Sequence, residues 1–268
     1  MGRNFESKRG KKKDNIYGDG NLNLLEGRNV VFEGLHSGRR IKKIFIDIGA
    51  LKGGKDSKIA EITELAKERS IVVVPTERGE LNRISQTDSH QGVIAEAVPR
   101  DEISLTGLLK SIRGKKEPFI VVLGEVMYEH NLGAIIRTAE GAGVDGIVIP
   151  KRRTAPLSPT VARVSMGASE YVPLIRESIT SALSILRREG VMIFGVETGS
   201  DLQYYDVDLT GSTALVFGGE DRGLTTTIRD RCDEVVSIPL LGKIGSLNVG
   251  ISVGIVLFER VRQEGLKG

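Results

Sequence analysis

Three polar clusters in the second half of this chain are the strongest candidates for chemistry. They are Asn131 with Arg137 in HNLGAIIRTAEGAG, Glu220 in LVFGGEDRGL, and Ser246 with Asn248 in IPLLGKIGSLNVG. Glycines allow a ligand to approach the backbone, and polar side chains after strands supply specific contacts. In parallel α/β sheets, ligands bind outside the carboxyl ends of the strands, where all three clusters are expected to meet. The sequence therefore predicts a ligand site built from these residues.

Each of these polar residues also has a purely structural explanation. Asparagine is among the best residues for capping a helix, so capping is the favoured interpretation of Asn131 from the residues alone. The same explanation applies to Ser246 and Asn248, which precede an apolar helix-like segment. Arg137 lies on a helix otherwise lined by apolar side chains, so exposed and inward positions are both open. Glu220 is either a solvated carboxylate in a turn or a cap or ligand contact.

Other kinds of site find less support in the sequence. The segment GAGVDG, residues 141–146, matches the dinucleotide-binding fingerprint, but a helix-like segment precedes it and a strand follows. The fingerprint requires the reverse order, so Gly141 and Gly143 are predicted to end a helix instead. The three histidines are scattered and Cys232 is the only cysteine, so no metal site is predicted. Cys232 itself is predicted to be a packing residue.

The composition is that of a globular protein with two domains. The chain has 268 residues, of which 40% are hydrophobic and 27% charged, and its net charge is +3. This small excess of positive charge is only a weak indication of an anionic partner. A lone cysteine fits a reducing compartment, and no apolar run is long enough to cross a membrane. We therefore expect a cytoplasmic protein that does not span a membrane.

Residues 1–22 are predicted to form a basic disordered arm. The first 13 residues carry six lysines and arginines against one acid, with almost nothing apolar to bury. An arm that binds an anionic partner and a tail that only improves solubility are equally compatible with this composition. The apolar segment of a targeting peptide is missing.

A first α/β unit is predicted over residues 23–98. The segments 41–47, 71–75 and 91–99 have the pattern of strands, and SKIAEITELAKER between the first two has the apolar spacing of a helix. A polar linker with a short helix-like segment follows over residues 99–117. Alternation of strand and helix on this scale is typical of a small α/β domain.

A second α/β domain is predicted over residues 118–268. Five apolar runs rich in valine and isoleucine are separated by helical patterns, which indicates a parallel sheet covered on both faces. The runs are FIVVLGEV, GIVIP, VMIFGVE, TALVFGGE and EVVSIPL.

The three polar clusters resemble the motifs of a known family. NLGAIIRTA, LVFGGEDRGL and IPLLGKIGSLNVGISV are similar to motifs one, two and three of the SpoU/TrmH (SPOUT) family of RNA ribose 2′-O-methyltransferases. GRNVVFEGLHSGRRIKKIFI and SHQGVIAEA resemble the L30e-like RNA-binding domain that some members carry. Within the family, the chain most resembles bacterial members that methylate a guanosine of 23S rRNA. The resemblance implies methylation of a ribose 2′-hydroxyl with S-adenosylmethionine, without a metal, on a domain whose C-terminal segment forms a deep trefoil knot.

The resemblance also implies roles for individual residues. The positions that match cofactor contacts are Gly218, Ile238 and Leu247. Those that match catalytic and RNA-positioning residues are Asn131, Arg137, Glu220, Ser246 and Asn248. One departure is Gly250, which stands where a serine is common in the family.

RNA and a second copy of the chain are the expected partners. Lys151, Arg152, Arg153 and Arg163 follow a strand and suit phosphate contacts, although a solvated charged loop is the alternative. The family builds its catalytic site at a dimer interface, which implies a homodimer.

Two other functions remain open at this point. One is methylation of transfer RNA, or of an rRNA adenosine as in antibiotic resistance, and the other is ribosome-associated RNA binding without catalysis.

Overall fold

The computed structural model describes residues 23–52, 57–87, 89–114, 116–219 and 222–267. The predicted basic arm and the candidate Glu220 lie outside the described residues. The described part of the chain forms two separate sheets, one of four strands and one of six. None of its helices has both the length and the apolar character needed to cross a bilayer.

The four-stranded sheet belongs to the first unit. Its elements are β1 (Asn23–Glu26), α1 (Arg28–His36), β2 (Ile41–Asp47), α2 (Ile48–Lys52), α3 (Ser57–Glu68), β3 (Val72–Thr76), α4 (Arg78–Ile84) and β4 (Val93–Ala97). The strand order is β1-β4-β2-β3, in which β4 runs antiparallel to both neighbours and β2 runs parallel to β3. The three predicted strands and the predicted helix are confirmed, and α3 buries Ile59, Ile62 and Ala66 against the sheet.

A buried carboxylate ties the edge strand β1 to the segment before β4. Glu26 has no exposed surface, and it accepts hydrogen bonds from the Ser85 hydroxyl at 2.8 Å and the Gln86 backbone N–H at 2.6 Å. The Thr87 backbone N–H and hydroxyl also donate to it, at 3.1 Å and 2.5 Å. A charge buried in this way is tolerated because hydrogen-bond donors replace the water it has lost.

The six-stranded sheet forms the second unit, and all of its strands run parallel. The elements are α5 (Leu105–Ile112), β5 (Phe119–Leu123), α6 (Glu129–Gly141), β6 (Gly146–Ile149), α7 (Pro159–Val164), a 3-10 turn (Ala168–Glu170), β7 (Leu174–Arg176), α8 (Ile179–Arg188), β8 (Met192–Val196), β9 (Thr213–Phe217), α9 (Thr226–Arg229), β10 (Glu234–Val236) and α10 (Val249–Gly265). The strand order is β10-β8-β9-β5-β6-β7.

The predicted α/β fold with a parallel sheet is confirmed. All five predicted strands are present, and apolar clusters cover both faces of the sheet, with α6 and α10 on one face and α5 and α8 on the other. The strand β7 was not predicted because its three residues are too few for a recognisable apolar run. The helix α6 ends at Gly141 and Gly143 has a φ of +73°, which confirms that GAGVDG ends a helix.

The first unit docks on the second through α1. The Tyr171 hydroxyl donates to Glu33 at 2.6 Å, and burial together with this carboxylate raises the pKa of Tyr171 to about 12. Arg100 forms an ion pair with Glu170 at 2.7 Å. A Cβ added to Gly167, where φ is +91°, would lie 2.7 Å from Glu33. These contacts join α1 and the start of the linker to the segment that follows α7, and they fix the first unit beside the six-stranded sheet.

We predict that Glu26→Gln lowers the free energy of unfolding by roughly 1–3 kcal/mol, the typical cost of leaving buried hydrogen-bonding groups unmatched. The glutamine amide keeps one acceptor oxygen but turns an NH₂ group toward the donors of residues 85–87. Chemical denaturation measures the change, and Glu61→Gln on the exposed face of α3 is the control. Equal losses of unfolding free energy in Glu26→Gln and Glu61→Gln would contradict the prediction.

Candidate functional site

A cavity of about 710 Å³ opens at the carboxyl ends of β8 and β9 and at the first turns of α6 and α10. Six candidate residues from three separate segments line it, which is the convergence expected of a parallel sheet. The cavity is lined by Tyr128, Asn131, Val196, Glu197, Thr198, Phe217, Gly218, Gly219, Arg222, Gly223, Ile238, Leu240, Ser246, Leu247, Asn248, Val249 and Ser252.

A closed glycine turn after β9 forms one wall of the cavity. Gly219 and Gly223 exchange two backbone hydrogen bonds, of 3.1 Å and 3.0 Å. A Cβ added to Gly218 would lie 2.1 Å from the Gly223 carbonyl carbon, so only glycine fits there. The Gly124 backbone N–H donates to Phe217 at 2.7 Å, and a Cβ on Gly124 would lie 2.9 Å from the Gly219 nitrogen. The turn therefore rests backbone against backbone on the loop after β5.

Glu197 holds the same turn from the other side. This residue follows β8, and its side chain is 18% exposed. Its carboxylate accepts a hydrogen bond from the Leu224 backbone N–H at 3.1 Å and forms an ion pair with Arg229. Sequence reasoning missed Glu197, although an acid directly after a buried strand is a usable signal in a parallel sheet.

Asn248 links the start of α10 to the start of α6. It is the N-cap of α10, and its Oδ1 accepts the Gly250 backbone N–H at 2.9 Å, which confirms the capping expected from the sequence. Its Nδ2 donates to Asn131 Oδ1 at 3.2 Å. The capping interpretation of Asn131 is wrong, because α6 begins at Glu129 and the N-cap position belongs to Tyr128. Asn131 instead lies in the first turn, where its amide meets that of Asn248.

The other candidates are placed as follows. Gly218, Ile238, Ser246 and Leu247 line the cavity together with the Asn131–Asn248 pair. Arg137 does not line the cavity, because it lies six residues beyond Asn131 on the exposed side of α6. A Cβ added to Gly250 would lie 3.2 Å from Asn248 Oδ1, so a side chain here would press on the cap.

The basic candidates separate into two kinds. Lys151 and Arg152 are exposed in the loop after β6. Arg153 is tethered by an ion pair to Glu125 at 2.9 Å and has a φ of +62°. Arg163 is a partly buried residue of α7, and its Nε has no hydrogen-bond partner within the described part of the chain. The first two are therefore the better placed for solvent-side contacts with phosphate.

Metal and cysteine chemistry find no support among the described residues. Their histidine, cysteine and acidic side chains form no group able to hold a metal ion. Cys232 packs against the core that faces α8, and burial, followed by the nearby Asp233, raises the pKa of its thiol to about 11. Since the thiolate is the nucleophile, this cysteine is inert near neutral pH and is a packing residue, as predicted.

Comparison with known proteins identifies both units. Residues 118–258 match the model of the SpoU rRNA Methylase family, and residues 24–102 match a domain described as RNA 2′-O ribose methyltransferase substrate binding. The chain is 36% identical over 225 residues to the 23S rRNA (guanosine-2′-O-)-methyltransferase RlmB of Escherichia coli, which covers 84% of this chain and 91% of that protein. The RlmB of Haemophilus ducreyi is also 36% identical, over 82% of this chain and 90% of that protein.

A solved structure has the same arrangement. An AdoMet-bound rRNA methyltransferase from Sinorhizobium meliloti superposes with a TM-score of 0.74 at 26% identity. The match covers 90% of this chain and 87% of that one. The similarity thus extends over both units of the fold.

We predict that Asn248→Ala destabilises the protein by about 1 kcal/mol, the usual cost of losing an N-cap, and also removes the link to Asn131. Asn248→Asp is the matched control, because a carboxylate still accepts the Gly250 N–H but cannot donate to Asn131. Thermal unfolding followed by circular dichroism should show the wild type as the most stable protein, Asn248→Asp as less stable and Asn248→Ala as the least stable. An alanine variant as stable as wild type would contradict the assignment of the cap.

Proposed function

This chain belongs to the SpoU rRNA methylase family, and we propose that it transfers a methyl group from S-adenosylmethionine to a ribose 2′-hydroxyl of large-subunit rRNA. The observation that carries the proposal is the cavity in which the glycine turn meets the Asn131–Asn248 pair. The similarity to RlmB over most of both chains supports a guanosine of 23S rRNA as the target.

The cavity fits S-adenosylmethionine in size and chemistry. Its volume of about 710 Å³ lies within the range of small-molecule sites. Half-buried Ile238 and the side chain of Leu247 offer apolar surface for an adenine ring, while Gly218 and Gly219 bring backbone polar groups to the cavity wall. We propose Gly218, Ile238 and Leu247 as cofactor contacts.

The bound cofactor supplies an electrophilic methyl group on a positively charged sulfur. The attacking 2′-hydroxyl is a very weak acid, so it must lose its proton as it reacts. Guanidinium groups hold their proton at ordinary pH, so we assign Arg137 to orienting the hydroxyl and the neighbouring phosphate. Water takes the proton as the new C–O bond forms, which leaves the cofactor as the neutral thioether. Asn131, Ser246 and Asn248 fix the geometry of approach from the rim of the cavity. Glu220 is proposed for the same role because its sequence position matches the family's second motif.

The two units divide the work between binding and catalysis. We propose that residues 23–98 bind RNA, that residues 99–117 link the units, and that residues 118–268 carry the reaction. The match of residues 24–102 to a substrate-binding domain supports this division. The exposed Lys151 and Arg152 add phosphate contacts beside the cavity, with Arg153 and Arg163 nearby in sequence. A minimal transfer RNA methyltransferase would not need the first unit, and a non-enzymatic RNA-binding protein would not need the cavity.

We propose a homodimer that pairs through the outer surface of α6 and α10. These two helices pack against each other, and a Cβ on Gly254 or Gly141 would meet Thr138 or Phe258 at ordinary contact distances of 3.6 Å and 3.9 Å. Ile251 and Phe258 are nevertheless 57% and 49% exposed. An apolar strip beside the cavity suits a second copy of the chain. The exposed Arg137 lies along this seam, so we propose that pairing brings it to the partner's cavity.

The C-terminal segment is proposed to form a trefoil knot. The strand β10 lies at one edge of the sheet, whereas α10, which follows it, packs against α6 on the far side of β8 and β9. Residues 237–248 must therefore cross the carboxyl ends of these strands. This crossing supports the threading that the family resemblance implies.

An rRNA substrate also implies a cytoplasmic location.

We predict that Arg137→Ala lowers kcat for methyl transfer by about 10²-fold, as expected when a reacting group loses its orientation. Unmodified large-subunit rRNA and labelled S-adenosylmethionine are the substrates, and calorimetry should give an unchanged Kd for the cofactor. Arg137→Lys should recover only part of the rate, because lysine lacks the planar fork. Arg188→Ala, on the opposite face of the sheet, is the control. Full activity of Arg137→Ala would overturn the assigned role, and no transfer by the wild type would overturn the function.

We predict that the wild type sediments at twice the 29.1 kDa mass of one chain at micromolar concentration. Ile251→Asp should shift the protein to the monomer, because it places a charge in the apolar strip. Val72→Asp, on an equally exposed valine of β3, is the matched control and should remain dimeric. A wild type that sediments only as a monomer would contradict the proposed homodimer.

A further inference from the structure

An aromatic side chain stands at the rim of the cavity. Tyr128 is 67% exposed, which makes it the most exposed aromatic residue in the described ranges. It lines the cavity together with Asn131, one turn further along α6, and with Asn248. Aromatic residues are few in this chain, which has only seven phenylalanines, five tyrosines and no tryptophan.

The position of Tyr128 is not explained by the stability of α6. The residue occupies the N-cap, where serine, threonine, aspartate or asparagine would bond the free backbone N–H groups. Tyr128 makes no such side-chain bond to the helix. Its ring also gains little from burial. A residue that serves neither capping nor the core, at the edge of a ligand cavity, is typical of a functional position.

We propose that the ring of Tyr128 stacks on an unpaired base of the RNA, at or next to the nucleotide that is methylated. This inference rests on the proposed function and names a specificity-determining contact for it. A ribose enters a cavity of this kind most readily from an unpaired nucleotide, and proteins hold such nucleotides by stacking their bases on aromatic rings. The exposure of Tyr128 places the ring where a large ligand arrives from solvent, whereas Ile238 and Gly218 are half-buried in the wall.

The charges around the cavity agree with an RNA ligand. Arg222 also lines the cavity. Lys151 and Arg152 are exposed after β6, two strands from β9 in the same sheet. Basic groups that track a phosphate backbone combined with an aromatic ring that holds a base are the usual elements of single-stranded RNA binding. The ring supplies affinity through its face, and its hydroxyl is dispensable.

Methyl transfer to unmodified large-subunit rRNA by Tyr128→Ala and Tyr128→Phe tests the proposal. Tyr128→Ala should lower kcat/KM for the RNA by about 10-fold or more, chiefly through KM, as expected for the loss of one stacked base. Tyr128→Phe keeps the ring and should stay within roughly threefold of wild type. Tyr205→Ala removes an exposed tyrosine outside the cavity and should leave the rate unchanged.

Calorimetry and sedimentation of the same variants separate stacking from other roles. We expect wild-type cofactor affinity and wild-type mass for Tyr128→Ala. The proposal is overturned if Tyr128→Ala transfers methyl as fast as wild type, if Tyr128→Phe loses as much as Tyr128→Ala, or if the alanine variant loses cofactor binding or the dimer. A wild type that transfers no methyl would instead remove the proposed function, and the stacking with it.

Discussion

The closure of one glycine turn is the constraint on which the rest of the site depends. Gly219 and Gly223 bond each other across the turn, Gly124 supports it from one side, and Glu197 holds it from the other. These contacts bring together the ends of β5, β8 and β9, which the chain reaches at widely separated positions. The loop after β5 and the two arms of the turn approach more closely than side chains would allow, so the main chain sets the shape of this wall of the cavity.

A second constraint joins the two helices that complete the cavity. Asn248 begins α10 by accepting the Gly250 N–H, and the other end of its amide reaches Asn131 in α6. One side chain therefore performs a local task and a tertiary task together. The packing of α10 on α6 leaves Ile251 and Phe258 facing solvent. The arrangement that shapes the cavity therefore also produces the surface proposed for dimerisation.

The sequence predicts those features whose cause is local or regular. The bounds of β2 follow from its apolar pattern, and the convergence of the three clusters follows from the rule that parallel strands end at one edge. The cap at Asn131 was predicted wrongly because Tyr128, a poor capping residue, occupies the N-cap position of α6. Glu197 was missed because its partners Leu224 and Arg229 lie about thirty residues away. The proposed knot rests on the family resemblance and on the path of residues 237–248, since no local pattern encodes a threading.

The most direct test of this account is the affinity of the Glu197→Ala variant for S-adenosylmethionine, measured by calorimetry beside the wild type and Glu197→Gln. If the glycine turn held by Glu197 shapes the cofactor site, the wild type binds S-adenosylmethionine. The alanine variant then binds it roughly tenfold or more weakly, in line with losing a hydrogen bond to a charged group. The glutamine variant retains an acceptor for the Leu224 N–H, so its affinity should lie between those of the wild type and the alanine variant. Equal affinity of the wild type and a folded Glu197→Ala variant would contradict the account.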